Sequence, residues 1–429
     1  MAHYLPTDSL AHHLGHLVTV AGWVHRIRRL GAMTFVVIRD GRGVVQILHR
    51  STDPPLPPLM PETVVKVSGL AIPEARAPGG VELHRPVIHV FATPESPLPF
   101  HVGGRDLPVG LDLRLNEAAL SLRHLDIRRI FQVQAALVQG FRHALIGEQF
   151  TEVHTPKIVA TASESGADVF RLRYFDTDAY LAQSPQLYKQ TLVGVFGRVF
   201  EVGPVFRAEP HDTGRHLSQY TSLDAEMGFI ESHKDIMDLL RDVLAKMLAE
   251  AQPLVVASDD ARWPTVPAQI PVMHFEDALH LLGGALREDL SKEPDLAPAH
   301  EQWLGAWAQR VHDSDLLFVE GYPTIKRPFY TESDPDRPDY TLSFDLLFRG
   351  QEIVTGGKRL HRYSDYRAAL KARGLSEVGL EGYLAAFRYG MPPHGGFAIG
   401  LERLTARLLG LRNIREATLF PRDLQRLRP

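Results

Sequence analysis

Residues 203–226 read GPVFRAEPHDTGRHLSQYTSLDAE, and residues 395–404 read GGFAIGLERL. In the first stretch Arg207 ends an apolar run, and Glu209, two residues on, falls on the same face of a strand. A polar loop carrying Arg215 and His216 follows. In the second, glycines precede a strand, Gly400 takes a turn, and Arg403 falls in the first turn of a helix. A glycine-rich turn at a helix start holds phosphate through backbone N–H groups, and an arginine there adds charge-assisted contacts. By itself GGFAIGLERL is a weak signal and reads more readily as a packing glycine and a surface arginine. Joined to VFRAE, two arginines from distant segments, with carboxylates at Glu352 and Asp224, could hold a nucleoside triphosphate with Mg²⁺.

The elements that must position these groups fall into two classes. From 18 to 92 the chain reads as strand after strand: VTVAGWV, TFVVIRD, VVQILHR, TVVKVSGLAI and VELHRPVIHVFA, with a DGRG hairpin signal at 40–43. Five short strands in this span predict a small closed barrel of the five-stranded OB type, with an SH3-like barrel as the competing reading. Arg26, Arg28, Arg29, Arg39, Arg42 and Arg50 crowd its first three strands beside Trp23 and Phe35. Arginine contacts phosphate and aromatic rings stack on unpaired bases, so this face suits single-stranded nucleic acid or is simply a solvated basic surface. Residues 93–110 hold four prolines and three glycines and read as a linker.

After the linker the period changes. Residues 125–150 place Ile127, Ile130, Phe131, Leu137, Val138, Phe141 and Leu145 on one helical face. A second helix follows Ser232 as N-cap, with Ile236, Leu240, Val243, Leu244 and Met247 in register. RVFEVGPVF, YTSLDAEMGF, YTLSFDLLF and QEIVTGG read as strands; helices around 364–373 and 376–389 each open on serine and close near glycine. The expected second domain is α+β, with a mainly antiparallel sheet flanked by helices. The domain limits so read are 1–100 for the barrel, 101–120 for a hinge and 121–429 for the larger domain.

With 47 Lys+Arg against 51 Asp+Glu, the formal net charge is −4, so any polyanion site must be local. The 429 residues contain no cysteine, which excludes disulfides, thiolate zinc sites and a cysteine nucleophile. No apolar stretch approaches the ~20 residues of a membrane helix and the N-terminus lacks a signal pattern, so the expected location is cytoplasmic.

FRAE followed by a loop and a second strand resembles motif 2 of the class II aminoacyl-tRNA synthetases, and GLERL resembles their motif 3. Pro156, in FTEVHTPKI, sits where motif 1 has its proline. The order and spacing of the three are far more specific than any one. QSPQLYKQ (183–190), ESGA (164–167), QEI with the following glycine pair and RLH (351–361) resemble the amino-acid pocket of the aspartyl-tRNA synthetase family. The ending LFPRDLQRLRP is similar to its archaeal and eukaryotic type, and no large insertion of the long bacterial form separates motifs 2 and 3. The resemblance covers essentially the whole chain.

It implies an ATP-dependent ligation of L-aspartate to tRNA through an aspartyl-adenylate, with Mg²⁺ as cofactor. Position by position, Lys189 and Arg359 match the cations on the substrate β-carboxylate, and Ser184 and Gln186 belong to the same pocket. Asp224 and Glu164 match the acids that receive the α-ammonium. Arg207 matches the arginine on the α-phosphate and Arg403 that on the γ-phosphate, the two expected catalytic residues. Tyr220 falls where an aromatic stacks on adenine, Glu209 where a glutamate contacts the nucleotide, and His216 on the phosphates or in an unrelated loop role. Glu352 matches a metal ligand, with Thr355 beside it. A lysine plus a bidentate arginine would be left unpaired by the amide asparagine, which is the expected basis of selectivity.

In the barrel, Phe35 and Gln46 match positions that stack on and read an anticodon base, with Arg28 nearby. His25 stands where tRNA(Asp)-specific archaeal relatives carry tryptophan, and Pro86 interrupts the fifth strand; both resemble relaxed enzymes that also charge tRNA(Asn) and feed an amidotransferase. Charging of tRNA(Asp) alone is the alternative. An asparaginyl-tRNA synthetase is argued against by Lys189, a non-catalytic tRNA-binding paralogue by the intact pair Arg207 and Arg403, and an OB protein with an unrelated second domain remains the generic reading. The helix before Pro156 resembles a dimer interface, so a homodimer is expected.

Overall fold

The computed structural model describes residues 4–160, 169–210, 212–255 and 263–428. The chain divides into two compact units, 1–125 and 126–429. In the first, β1 (Leu17–Leu30), β2 (Met33–Arg39), β3 (Val44–Arg50), β4 (Val64–Pro73) and β5 (Val81–Ala92) close into a barrel in the order β1-β2-β3-β5-β4. Alternation makes its core: Val20, Val24, Val36, Ile38, Ile47, Val65, Val67 and Leu83 all point inward and are buried. The strand over 18–24 runs further than the sequence reading, to Leu30, pairing Arg28 with Phe35 and Arg29 with Thr34. The unit continues through two short helices, α1 (Leu111–Asn116) and α2 (Ala118–Ser121).

In the second unit α3 (Leu125–Gly147) lays Val133, Leu137, Phe141 and Leu145 on the core, whereas Ile127, Ile130 and Phe131 in its first turns are only half-buried. The strands β6 (Thr151–Glu152), β7 (Ile158–Val159), β8 (Arg171–Tyr174) and β9 (Thr177–Leu181) precede α4 (Gln186–Phe196). Then come β10 (Arg198–Phe206), β11 (Gln219–Gly228), α5 (His233–Ala251), β12 (Val272–His274), α6 (Phe275–Leu286), α7 (Pro298–His312) and β13 (Leu316–Glu320). β14 (Ser343–Phe348), β15 (Glu352–Arg359), α8 (Tyr363–Ala372), α9 (Glu381–Arg388), β16 (His394–Gly400) and α10 (Leu401–Leu408) complete the unit.

Eight strands form one sheet, ordered β12-β13-β14-β15-β16-β11-β10-β6; only the two edge pairs are parallel, so the architecture is α+β with a mainly antiparallel sheet. α5 starts as read: Ser232 accepts from the Lys234 N–H, and Asp235 completes the capping box. The serine openings read for α8 and α9 do not hold. Ser364 lies inside α8, and Ser376 accepts from the Val378 N–H in a turn ahead of α9. Their glycine ends do hold, with Gly374 at φ 64° and Gly390 at φ 93°, where side chains are disfavoured.

The central strands have two unlike faces. Leu223, Ala225, Val354, Phe397 and Ile399 pack with α3 and α5 in the main core. Directly paired residues share a face, so Asp224, Ala398, Thr355 and Asp345 form one row across β11, β16, β15 and β14. Glu226, Gly396 and Gly357 form the next. Helices cover the apolar face, and the other presents a floor of polar side chains between small residues.

Candidate functional site

On that floor Lys189, from α4, is buried at 1% exposure. Its ammonium lies 3.0 Å from Asp224 Oδ1 and 3.2 Å from Glu226 Oε2, and donates to the Phe397 carbonyl at 3.3 Å. Arg359, at the end of β15, donates through Nε to Glu226 Oε1 at 3.0 Å and through Nη2 to the Gly396 carbonyl at 3.1 Å. Burial would raise the Glu226 carboxyl, but Arg359 first and then Lys189 outweigh it and hold the group below its usual range. The Ser222 hydroxyl donates to Asp224 Oδ2. Gly396 is needed for this approach, because a Cβ there would come within 2.2 Å of Glu226 Oε2.

Ser184 accepts from the Gln186 N–H at 3.2 Å and turns the chain into α4. Gln186 itself is buried, and its Nε2 has no hydrogen-bond partner among the described residues. Ser184, Gln186, Lys189, Asp224 and Arg359 thus come from four segments of the second unit. Glu164 lies outside the described residues.

Glu226 was not among the residues singled out from sequence. The signal was present: it follows Asp224 by two positions in a strand and so shares its face. Its presence changes the charge argument. Lys189 and Arg359 are not waiting as bare cations; Asp224 and Glu226 already compensate them. What Arg359 keeps open is direction, since Nη1 has no hydrogen-bond partner among the described residues.

Next to this group opens a cavity of about 340 Å³, bounded by Arg207, Glu209, Arg215, His216, Tyr220, Glu352, Thr355 and Arg403, with Gly400 at its edge. Arg207 and Glu209 lie beyond the end of β10 rather than within a strand, yet remain close, with Arg207 Nη1 3.8 Å from Glu209 Oε1. The Arg207 N–H donates to the Ser218 carbonyl at 2.9 Å, which extends the hairpin, and its guanidinium stands 5.9 Å from the centre of the Tyr220 ring. His216 Nδ1 is 2.6 Å from Thr213 Oγ1 within the loop. Arg403 donates to the Glu352 carbonyl at 3.2 Å.

A bulge between Leu346 and Leu347 of β14, against β15, breaks the strict alternation near Glu352. Thr355 consequently donates to Glu352 Oε1 at 3.1 Å. Opposite Thr355 lies Asp345, missed in the sequence reading. Burial pushes its carboxyl up to about 6; Arg327, 2.8 Å away, opposes this and the Glu352 charge adds to it. Two carboxylates and a hydroxyl are hard oxygen donors of the kind Mg²⁺ prefers. Two further acids adjoin the cavity. Glu301, on α7, accepts from the Glu352 N–H at 3.0 Å and is pushed up to about 7 by burial. Glu402 accepts the Thr221 N–H with both oxygens at 3.0 Å and is likewise raised to about 7 by burial.

The barrel has its own cavity, about 570 Å³, lined by Arg26, Arg28, Phe35, Gln46, Arg50 and Arg76 among others. Arg28 stands over the Phe35 ring at 5.1 Å. Gln46 donates to Glu82 Oε1 at 2.8 Å, while His84 Nε2 lies 2.7 Å from Glu82 Oε2. Arg28, Phe35 and Gln46 are therefore together, but His25 is not with them. It is 8% exposed, with Nδ1 3.3 Å from Arg39, whose guanidinium is clamped on Glu62 at 2.9 and 3.0 Å. The cause is a bulge between Val24 and Arg26, which turns His25 inward and sends Arg26 to the surface. Pro86 is buried where β4 and β5 shift register between Ser68 and Leu70.

Residues 110–424 match the family model described as tRNA synthetases class II (D, K and N), and residues 18–91 match the OB-fold nucleic acid binding domain. The chain is 45% identical over 426 residues to the Aspartate--tRNA(Asp/Asn) ligase of Thermus thermophilus, covering 97% of this chain and 98% of that one. It is 38% identical to the Aspartate--tRNA(Asp) ligase of Pyrococcus abyssi, covering 97% of each. Among solved structures, asparaginyl-tRNA synthetase from Pyrococcus horikoshii complexed with asparaginyl-adenylate superposes with a TM-score of 0.92 at 30% identity, covering 100% of both chains.

Proposed function

The chain belongs to the class II tRNA synthetases of the D, K and N group, and from that membership we propose that it joins L-aspartate to tRNA(Asp) and tRNA(Asn) at the expense of ATP. The observation that carries aspartate over asparagine is the buried pair Lys189 and Arg359. Arg359 spends Nε on Glu226 and Nη2 on the Gly396 carbonyl, which leaves Nη1 as a further donor. A carboxylate oxygen accepts from it; an amide nitrogen would set donor against donor. The overall likeness to an asparaginyl enzyme reflects the shared scaffold, and the pocket decides between them.

In this reading Lys189 and Arg359 hold the side-chain carboxylate and Asp224 receives the α-ammonium. The substrate α-carboxylate oxygen attacks the α-phosphorus of ATP. The bond from that phosphorus to the α–β bridging oxygen breaks, and diphosphate leaves with the electron pair. Arg207 stabilises charge on the α-phosphate, Arg403 and His216 hold the distal phosphates, and Tyr220 with Glu209 holds the adenine end. Asp345, Glu352 and Thr355 would hold Mg²⁺, which supplies charge neutralisation on the phosphate oxygens. The terminal ribose hydroxyl of tRNA then attacks the adenylate carbonyl carbon, and AMP leaves.

Arg28, Phe35 and Gln46 read the anticodon in this scheme, and His25 acts on it only through the bulge that aims Arg26. The half-buried Ile127, Ile130 and Phe131 on α3 support a homodimer. No helix among the described residues is long and apolar enough to cross a membrane, which accords with a cytoplasmic enzyme. Aspartyl-tRNA(Asn) made here would need a tRNA-dependent amidotransferase downstream.

The test is charging of tRNA(Asp) and tRNA(Asn) transcripts in parallel with labelled aspartate. Comparable rates on both are expected. Charging of tRNA(Asp) alone would retain aspartate activation and discard the relaxed specificity; charging of neither would overturn the assignment.

A further inference from the structure

Beyond the nucleotide cavity lies a second, of about 470 Å³, which shares Arg215, His216 and Arg403 with the first. Its far wall adds Arg407, from α10, and Arg412, from the turn after it. Gln302 and Gln351 contribute amide groups, and among the described residues no carboxylate lines it. Five basic side chains around one opening are unusual in a chain of net charge −4.

Two features argue against a merely solvated basic patch. Arg403 and Arg407 stand four residues apart on one helix, where like charges repel, yet both line this opening. Arg407 is held by a neutral group, donating through Nε to the Arg349 carbonyl at 3.0 Å, and no carboxylate pairs with it. Burial and the neighbouring Arg349 charge lower its proton affinity, with the Glu301 charge opposing. A cation placed this way is stabilised by an anion entering from outside the protein.

We propose that this second cavity is a diphosphate site: it receives inorganic pyrophosphate as the α–β phosphoanhydride bond breaks and conducts it out past Arg407 and Arg412. The proposal rests on the ATP-dependent activation assigned above. Arg403 and Arg215, common to both cavities, would hand the leaving group across without its charge meeting a low-dielectric wall. Departure on this side keeps the aspartyl-adenylate undisturbed in the first cavity for tRNA to approach.

The test titrates inorganic pyrophosphate by calorimetry onto the full chain filled with the non-hydrolysable adenylate analogue aspartyl-sulfamoyl-adenosine. Arg407→Gln and Arg412→Gln are compared with the parent. Arg412 is exposed, so its replacement keeps the test meaningful if loss of the Arg407 contact to Arg349 disturbs folding. Each lost charge-assisted contact is expected to weaken pyrophosphate binding about tenfold while the KM for ATP in exchange moves less than about twofold. Unchanged pyrophosphate affinity in both variants would overturn the proposal. So would an equal rise in the KM for ATP, which would make the arginines part of the nucleotide site, or a change confined to the KM for tRNA. If the parent binds pyrophosphate but shows no aspartate-dependent exchange, the functional assignment fails and the anion site stands.

Discussion

Lys189 carries two burdens, and they can be separated. In the proposed scheme it meets the substrate carboxylate, and in the structure it neutralises the buried Asp224 and Glu226. Removing one partner from a buried ion cluster costs about 3–5 kcal/mol because a charge is stranded. Lys189→Met should therefore lower the thermal midpoint sharply as well as abolish aspartate-dependent pyrophosphate exchange. Adding Glu226→Gln to that variant should recover most of the midpoint and none of the exchange. Exchange surviving in either variant would remove Lys189 from the pocket. Glu402 makes a second prediction at this scale. Its folded-state pKa, raised to about 7 by burial, exceeds that of an exposed glutamate, so the native state takes up a proton. That stabilisation is complete below pH ~4.5 and is lost as the pH rises through ~7, an amplitude of at most about 3 kcal/mol. Glu402→Gln keeps an acceptor for the Thr221 N–H and should flatten the stability profile over that window in urea titrations at several pH values. A profile that keeps its slope would place the titration elsewhere.

The elements that carry these residues depend on close helix packing, and Gly140 measures it. α3 crosses α5 so tightly that a Cβ on Gly140 would lie 2.6 Å from Met247 Cα, a backbone atom that cannot swing aside. Gly140→Ala is expected to cost about 1–3 kcal/mol through overpacking, despite the better helix propensity of alanine. Gly147, at the end of the same helix, has nothing within 4 Å of such a Cβ. Gly147→Ala should be neutral or stabilise by up to about 1 kcal/mol, and urea midpoints falling equally for both would show that α3 and α5 are not in that contact. Elements of this kind were legible in the sequence where period and caps agreed: α5 from Ser232, the barrel strands from alternation, β16 running into α10 from GGFAIGLERL. α6 and α7 were not, because their apolar faces are read against a separate core around Leu304 and Phe275 that no local pattern announces. Ser364 and Ser376 misled because a serine caps a helix only when its backbone is extended and the next turn forms. At the site, Lys189, Asp224 and Arg359 were singled out from a motif, and the structure brings them together around Glu226. Glu226 and Asp345 were hidden in strands whose apolar neighbours dominated the reading, and the bulge that buries His25 depends on pairing with β2 rather than on residues 24–26 alone.

At the scale of the molecule, the proposed scheme assigns separate kinds of recognition to the two units. Residues 126–429 contain every described group that the proposal places around aspartate and ATP, and their core of Phe141, Phe200, Phe344 and Phe397 is complete within them. Residues 1–125 contain the arginine-lined cavity and a closed barrel core of their own. On that scheme activation should be separable from tRNA selection. Residues 126–429 expressed alone should exchange pyrophosphate into ATP with aspartate at close to the parent KM values. The same fragment should charge tRNA at least about thirtyfold less well, since two or more base or phosphate contacts at ~1–3 kcal/mol each would be gone. The parent's KM for tRNA should rise with salt as phosphate contacts release counterions, and the fragment's dependence should be shallower by the contacts it lacks. A fragment that charges tRNA as well as the parent would leave the barrel's arginines without a part in recognition. One that folds, by circular dichroism, but cannot exchange would mean that the first unit contributes to activation itself.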